Sequence, residues 1–370
     1  METTKNEHLT KTLKISDSKK DLLFEAIFSL TIFFIMLIII SNPKRYTSGT
    51  IEGLRLFFTS VLPGLFPFML LTKLLTELGF ILRLSQKLNK PANFLFCTKG
   101  ISFYVLIMSI LSGYPIGAKI ICDLHEKGII SQDDAKKMAV FCTTSGPIFV
   151  IGAIGVSMFG SATIGIIIYL AHIVSSIILG IIYGHLKKSS MQNTHNAPLL
   201  KTKKDNIFGE CVLQTITSLF VVGSYITIFY LIGELLDGLG FFNMTTTILE
   251  PITKLFNLDS SNTKGMLYGF LEVTRGAKEL AKTTSILSIC ACTGILSFSG
   301  ISIIMQSMVF LKQAKIIMHN FIFAKVMHSI LSIILCYILC LIFIWNWWSY
   351  IVNCVFKFIS ISLYNGKVLV

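Results

Sequence analysis

Apolar residues in this chain come in long blocks separated by short polar ones, rather than at the spacing of one helix face or one strand face. Residues 22–41 form an apolar block interrupted only by Glu25, and about 20 such residues suffice to span a bilayer. The polar stretch before it, 1–21, carries lysines at 5, 11, 14, 19 and 20 and reads as a cytosolic tail. The block has no small-residue cleavage site after a short core, so it reads as an anchor and not a signal peptide. Residues 53–80 are apolar but broken by Pro63 and Pro67, which predicts an interfacial helix up to Leu62 followed by a crossing one. A basic loop with Arg83, Lys87, Lys90 and Lys99 leads to a third apolar run, 101–120.

Residues 123–137 are too charged to cross; they predict a polar helix with Ser131 as N-cap before Asp133 and Asp134. A further broken run starts at Met138, and 161–183 reads as an uninterrupted spanning helix. The stretch 185–206, with lysines at 187, 188, 201, 203 and 204, is a basic linker. It divides a first half, 51–184, from a second, 207–345, with 346–370 as a C-terminal tail.

Two runs are interrupted where a spanning helix should be uniform. Residues 112–119 read SGYPIGAK, placing Ser112, Gly113, Tyr114, Pro115, Gly117 and Lys119 together near the end of an apolar run. Residues 141–155 read FCTTSGPIFVIGAIG, with Thr143, Thr144, Ser145 and Gly146 ahead of Pro147. Proline removes a backbone donor and glycine tolerates the dihedrals that follow. At membrane depth such a break persists only if it is buried in protein or lines a watery cavity.

The second half repeats the order. Leu78-Gly79-Phe80 matches Leu239-Gly240-Phe241, and Gly117-Ala118-Lys119 matches Gly276-Ala277-Lys278. Ser145-Gly146 matches Ser299-Gly300, and HIVSSIIL at 172–179 matches HSILSIIL at 328–335, a separation of 156 residues. With the tail and the linker both cytoplasmic, the first half crosses an odd number of times and the second starts from the opposite side. The fold class expected is therefore an all-α membrane protein, a polytopic helical bundle of two inverted repeats with broken or re-entrant helices meeting near the midplane. Lys44 and Arg45 on the outer side run against the positive-inside count.

Composition agrees: of 370 residues 53% are hydrophobic and 14% charged, against about 25% charged in soluble domains, and the mean hydropathy is +0.74. The net charge of +13 lies in loops between apolar runs, which points to topology and the lipid bilayer as partner, not to nucleic acid. The nine cysteines form no CxxC pair; Cys290, Cys292, Cys336 and Cys340 sit inside apolar runs and read as small hydrophobes. No nucleophile–base pair, phosphate-cradling glycine loop or HExxH helix is present, so neither an enzyme nor a cofactor or metal is expected. The composition is compatible with a homo-oligomer and does not require one.

A lysine inside a span costs roughly 2.5–3.5 kcal/mol on insertion scales. Lys119 either snorkels to an interface or holds a fixed charge over a cavity at 113–117. Its counterpart Lys278, with Arg275 three residues before it, supports the second reading. An anion about 4 Å from one cation gains roughly 4 kcal/mol at an effective dielectric near 20, so the expected solute is a small organic anion. Glu272 either pairs with Arg275 or binds a coupling H⁺ or Na⁺, whereas Asp123 and Glu126 read as a solvated face. Thr143, Thr144, Ser145, Ser297 and Ser299, beside Gly146 and Gly300, offer hydroxyls that either bond back to their helices or contact solute. Tyr114 is either interfacial or a stacking surface for an aromatic solute, and His172 and His328 read as paired packing positions rather than a proton relay.

Together, SGYPIGAK, FCTTSGPIFVIGAIG, SFSGISIIMQ and GLRLFFTSVLPGLFPF resemble the YlbJ-type sporulation integral membrane proteins, within the wider group carrying nucleoside-recognition (Gate) domains. The resemblance covers roughly residues 50–345, and it departs at Thr143-Thr144, where such proteins carry Asn-Asn. It implies an architecture similar to concentrative nucleoside transporters. It further implies a role in endospore formation, moving dipicolinate from mother cell towards forespore, in the cell membrane or the outer forespore membrane. The alternatives are a carrier of nucleosides or other neutral solutes, and a non-transporting scaffold for spore-envelope assembly.

Overall fold

The structure, a computed structural model, describes residues 19–78, 85–187, 206–255 and 259–344. Most of both tails, most of the 185–206 linker, and Gly79-Phe80 of the first repeat match lie outside the described residues. Among the described residues there is no strand. The chain divides into two units, residues 1–49 and 50–370. In the first, helix α1 (Lys19–Ser41) carries the apolar block Leu22–Ser41, none of which is buried; its apolar side chains suit lipid. Helix α2 (Pro43–Leu56) begins in this unit.

In the second unit the first half runs through a π-helical turn (Phe57–Val61), α3 (Leu62–Glu77), α4 (Asn89–Phe96), α5 (Ile101–Ser112), α6 (Ile116–Glu126) and α7 (Gln132–Phe141). A longer π-helical segment (Ile148–Met158) and α8 (Ala162–Leu186) complete it. The second half comprises α9 (Ile207–Gly238), α10 (Phe241–Leu255), α11 (Ser260–Leu271), α12 (Val273–Leu280), α13 (Ile286–Phe298), α14 (Gly300–Leu311) and α15 (Met318–Ile344). Element by element, α5, α6, α7, the segment Ile148–Met158 and α8 recur as α11, α12, α13, α14 and α15. Each half thus has a break after its first helix of this series and another before its fourth.

The local signals account for many of the boundaries. Ser131 caps α7 in a reciprocal box: its hydroxyl accepts the Asp134 N–H at 3.0 Å while the Asp134 carboxylate accepts the Ser131 N–H at 3.4 Å. Asp259 caps α11 through the Asn262 N–H at 2.7 Å. The bend expected at Pro63 sits earlier, at the π-helical turn, so Pro63 falls in the first turn of α3, where a missing N–H costs nothing. Five helical stretches among the described residues are long and apolar enough to cross a membrane, or seven if each bent pair is one span. The chain is an all-α, multi-pass membrane protein.

Two apolar clusters hold the second unit together, and each draws on both halves. One joins α5, α6 and α7 to Ile304, Met308 and Leu311 of α14. The other joins α12, α13 and α15 to Val150, Ile154, Ile167 and Ile168 of the first half. Each half thereby lends the part after its second break to the other's core. This interlocking brings the four breaks to one place.

Candidate functional site

The first break is made by backbone freedom. α5 ends at Ser112, and Gly113 takes φ 84° and ψ −174°, a combination essentially confined to glycine. A Cβ on Gly113 would lie 2.5 Å from the Gly146 backbone nitrogen, so the first half's two breaks are in backbone contact. Tyr114 and Pro115, joined by a cis peptide, lead into α6, and Gly117 passes so close to the Cys142 carbonyl that no side chain would fit.

In the second half Glu272 takes the place of Gly113 and works differently. It is extended, φ −142° and ψ 116°, and its buried carboxylate caps α12 by accepting the N–H groups of Thr274 at 3.0 Å and Arg275 at 2.8 Å. Ser299, at φ 80°, joins α13 to α14, and Gly300 packs on the Gly269 carbonyl.

Between the breaks is a hollow of about 90 Å³, well below the roughly 300–1,000 Å³ of a formed small-molecule site. Ser112, Gly113, Tyr114, Ser145, Gly146, Glu272 and Thr274 line it, with Gln306 and a set of apolar side chains from α3, α9 and α14. The Ser112 hydroxyl is buried without a hydrogen-bond partner. The Gln306 amide donates to the Ser302 hydroxyl at 3.1 Å. Glu272 is the sole charged residue in the lining among the described residues.

The expected cations are elsewhere. Lys119 pairs with Asp123 at 2.9 Å, and Lys73 takes the other oxygen of the same carboxylate at 2.8 Å. Asp123 is therefore buried in an ion-pair network, a correction to its reading as a solvated residue; Glu126 is exposed. Arg275 does not pair with the Glu272 side chain: its guanidinium meets Glu234 at 3.0 Å and lies over the Tyr268 ring at 4.2 Å. Lys278 is exposed. The spacing that suggested converging cations instead put each one a turn past its break, facing an acid or solvent.

The remaining site residues form a buried polar cluster behind the hollow. The Ser145 N–H donates to His172 Nε2 at 2.9 Å, so that nitrogen carries a lone pair, and the proton on Nδ1 faces the Ser297 hydroxyl at 2.8 Å. The Thr144 N–H donates to the Ser109 hydroxyl at 3.0 Å, and the Thr143 hydroxyl bonds back to the Ala139 carbonyl at 2.9 Å. The Ser299 hydroxyl donates to the Tyr114 oxygen at 2.8 Å. His328 Nε2 donates to the His172 carbonyl at 2.9 Å, and the two rings lie 4.8 Å apart. These two histidines occupy matching places in the two halves.

One member of the cluster escapes sequence reading. Lys325, on α15, is 1% exposed; its ammonium donates to the Thr143 carbonyl at 2.6 Å and the Tyr114 oxygen at 3.2 Å. No carboxylate lies within ion-pair reach of it among the described residues. The signal available was position: the separation of 156 residues that pairs the histidines pairs Lys325 with Tyr169.

No family model matches the chain. Among solved structures, one of CNTnw in an outward-facing state superposes with a TM-score of 0.48 at 11% identity, covering 86% of each chain. The chain is 27% identical over 318 residues to the sporulation integral membrane protein YlbJ of Bacillus subtilis (strain 168), covering 80% of this chain and 78% of that protein. Over four-fifths of its length the chain is thus similar to a YlbJ-type integral membrane protein, as its break motifs implied.

Proposed function

We propose that this protein is a membrane carrier that holds a small polar solute between its four helix breaks, acting as a transporter and not as an enzyme. The observation that carries this reading is the hollow at the breaks. Ser112, whose buried hydroxyl has no partner, and Glu272 both line it. A buried hydroxyl without a partner costs about 1–3 kcal/mol, which a hydrogen-bonding solute would recover. At about 90 Å³ the hollow is smaller than a formed small-molecule site, so loading requires the breaks to part.

The wall's chemistry, one carboxylate, one amide and hydroxyls with no cation, suits a neutral solute such as a nucleoside. A second reading follows from the resemblance of the break motifs to YlbJ-type sporulation proteins: the solute is dipicolinate, carried across a membrane that surrounds the forespore. In that case the anion enters a site whose own charge is negative, and a cation must accompany it.

Liposomes holding the purified chain and preloaded with unlabelled uridine or dipicolinate distinguish the two. The solute that belongs to the protein exchanges for its labelled form. Ser112→Ala or Glu272→Gln then slows that exchange about tenfold, the loss of one hydrogen bond worth roughly 1.4 kcal/mol. Exchange of neither solute sinks the carrier reading.

A further inference from the structure

Lys325 does not line the hollow but bonds to a residue that does. That residue is Tyr114: it lines the hollow, and its oxygen meets the Lys325 amine at 3.2 Å and the Ser299 hydroxyl at 2.8 Å. The lysine belongs to the second half, whereas Tyr114 and Thr143 belong to the first, so the amine ties the halves together. An ammonium this deeply buried with no carboxylate beside it is poorly compensated, and opening the hollow to water would relieve that cost.

Two other titratable groups at the breaks, Glu272 and His172, are held by backbone N–H groups. Both Glu272 oxygens accept backbone N–H groups, which anchors the carboxylate at the start of α12. His172 Nε2 is held as an acceptor by the Ser145 N–H. His328, one turn along α15, spends its Nε2 proton on the His172 carbonyl and has a buried, unpartnered Nδ1. Lys325 differs from Glu272 and His172. As an ammonium it donates to Thr143 and to Tyr114; as an amine it still donates to Thr143 and accepts the Tyr114 O–H. Both forms use the same two partners, and the change needs only the Tyr114 and Ser299 hydroxyls to rotate.

We propose that Lys325 carries the proton that couples solute movement to a proton gradient, receiving it through the Tyr114 hydroxyl. In the transfer Tyr114 gives its hydroxyl proton to the amine and takes one from the hollow, so the phenol is restored and the lysine becomes an ammonium. The charged and titratable groups facing Lys325 are Tyr114 from the first break, His172 from α8 and His328 on its own helix. α7 and α13 bring no charged group into contact with it. Closing the hollow favours release of the proton and opening it favours uptake, which links the two halves' motion to protonation.

The inference rests on the carrier reading, and one experiment separates the two. The full chain is reconstituted in liposomes held at zero voltage with valinomycin and equal potassium, with labelled uridine and labelled dipicolinate as solutes. A one-unit inward proton gradient is expected to drive about tenfold accumulation of the exchanging solute for each proton carried. Lys325→Gln and Lys325→Arg should abolish accumulation while still exchanging solute at equal pH. Accumulation by either variant, loss of exchange in both variants, or wild-type exchange that ignores the gradient overturns the assignment alone. Wild-type liposomes that exchange neither solute overturn the carrier reading and this inference with it.

Discussion

Replacing Gly113 by alanine tests the convergence of the breaks directly, because Gly128 supplies an internal reference. Both glycines have positive φ, 84° and 67°. A Cβ at Gly128 meets nothing within 4 Å, whereas one at Gly113 lies 2.5 Å from the Gly146 nitrogen and 3.2 Å from its Cα. Gly128→Ala therefore bears only the left-handed backbone cost, about 1–2 kcal/mol. Gly113→Ala bears about 1–3 kcal/mol for a region almost closed to other residues, plus about 1–3 kcal/mol for overlap with backbone that cannot rotate aside. The expected excess of Gly113→Ala over Gly128→Ala is about 2 kcal/mol. Reversible denaturation of the purified protein in mixed micelles, followed by far-ultraviolet circular dichroism, measures it. If the two variants fall within about 0.5 kcal/mol of each other, the first half's breaks are not in backbone contact and the hollow loses its frame.

Other consequences follow from the ion pairs and the close approaches. Asp123→Asn should destabilise the protein by about 1.5–3 kcal/mol, since Lys119 loses its carboxylate while Lys73 keeps Glu77 at 3.6 Å. Lys119→Met should cost clearly less in the same denaturation assay, because Asp123 keeps Lys73. Lys119→Met should also leave solute exchange within twofold of wild type, since the side chain does not line the hollow; a tenfold loss would return Lys119 to the site. Gly276→Ala should cost about 1–3 kcal/mol by overpacking, because the added methyl would run into the backbone of Gly269; an unchanged denaturation midpoint would show that α11 and α12 can separate freely there.

The breaks were legible because glycine and proline interrupt runs that are otherwise uniformly apolar, and that signal is local. Helix boundaries set by hydroxyl and carboxylate caps, such as Ser131, were legible for the same reason. What a side chain faces across the bundle was not. Lys119 and Asp123 are four residues apart, a spacing that allows an ion pair, yet Lys73, which completes the network, is fifty residues away from Asp123. In the second half the three letters shared with the first point to Lys278, whereas the residue in the place of Gly113 is Glu272. Lys325 went unread because one lysine in a long apolar helix looks like a snorkelling residue, and only packing between halves reveals that it points inward.

His172 and His328 rest against each other, each meeting its own duplicate. If the halves rock about a line through this contact, points on that line travel least and points far from it travel most. The imidazole pair is then a fulcrum, and the gap across it stays nearly constant while the rims of the bundle swing. Spectroscopic labels near the rings would report little through a full cycle, whereas labels at the outer ends of α8 and α15 would register its whole amplitude.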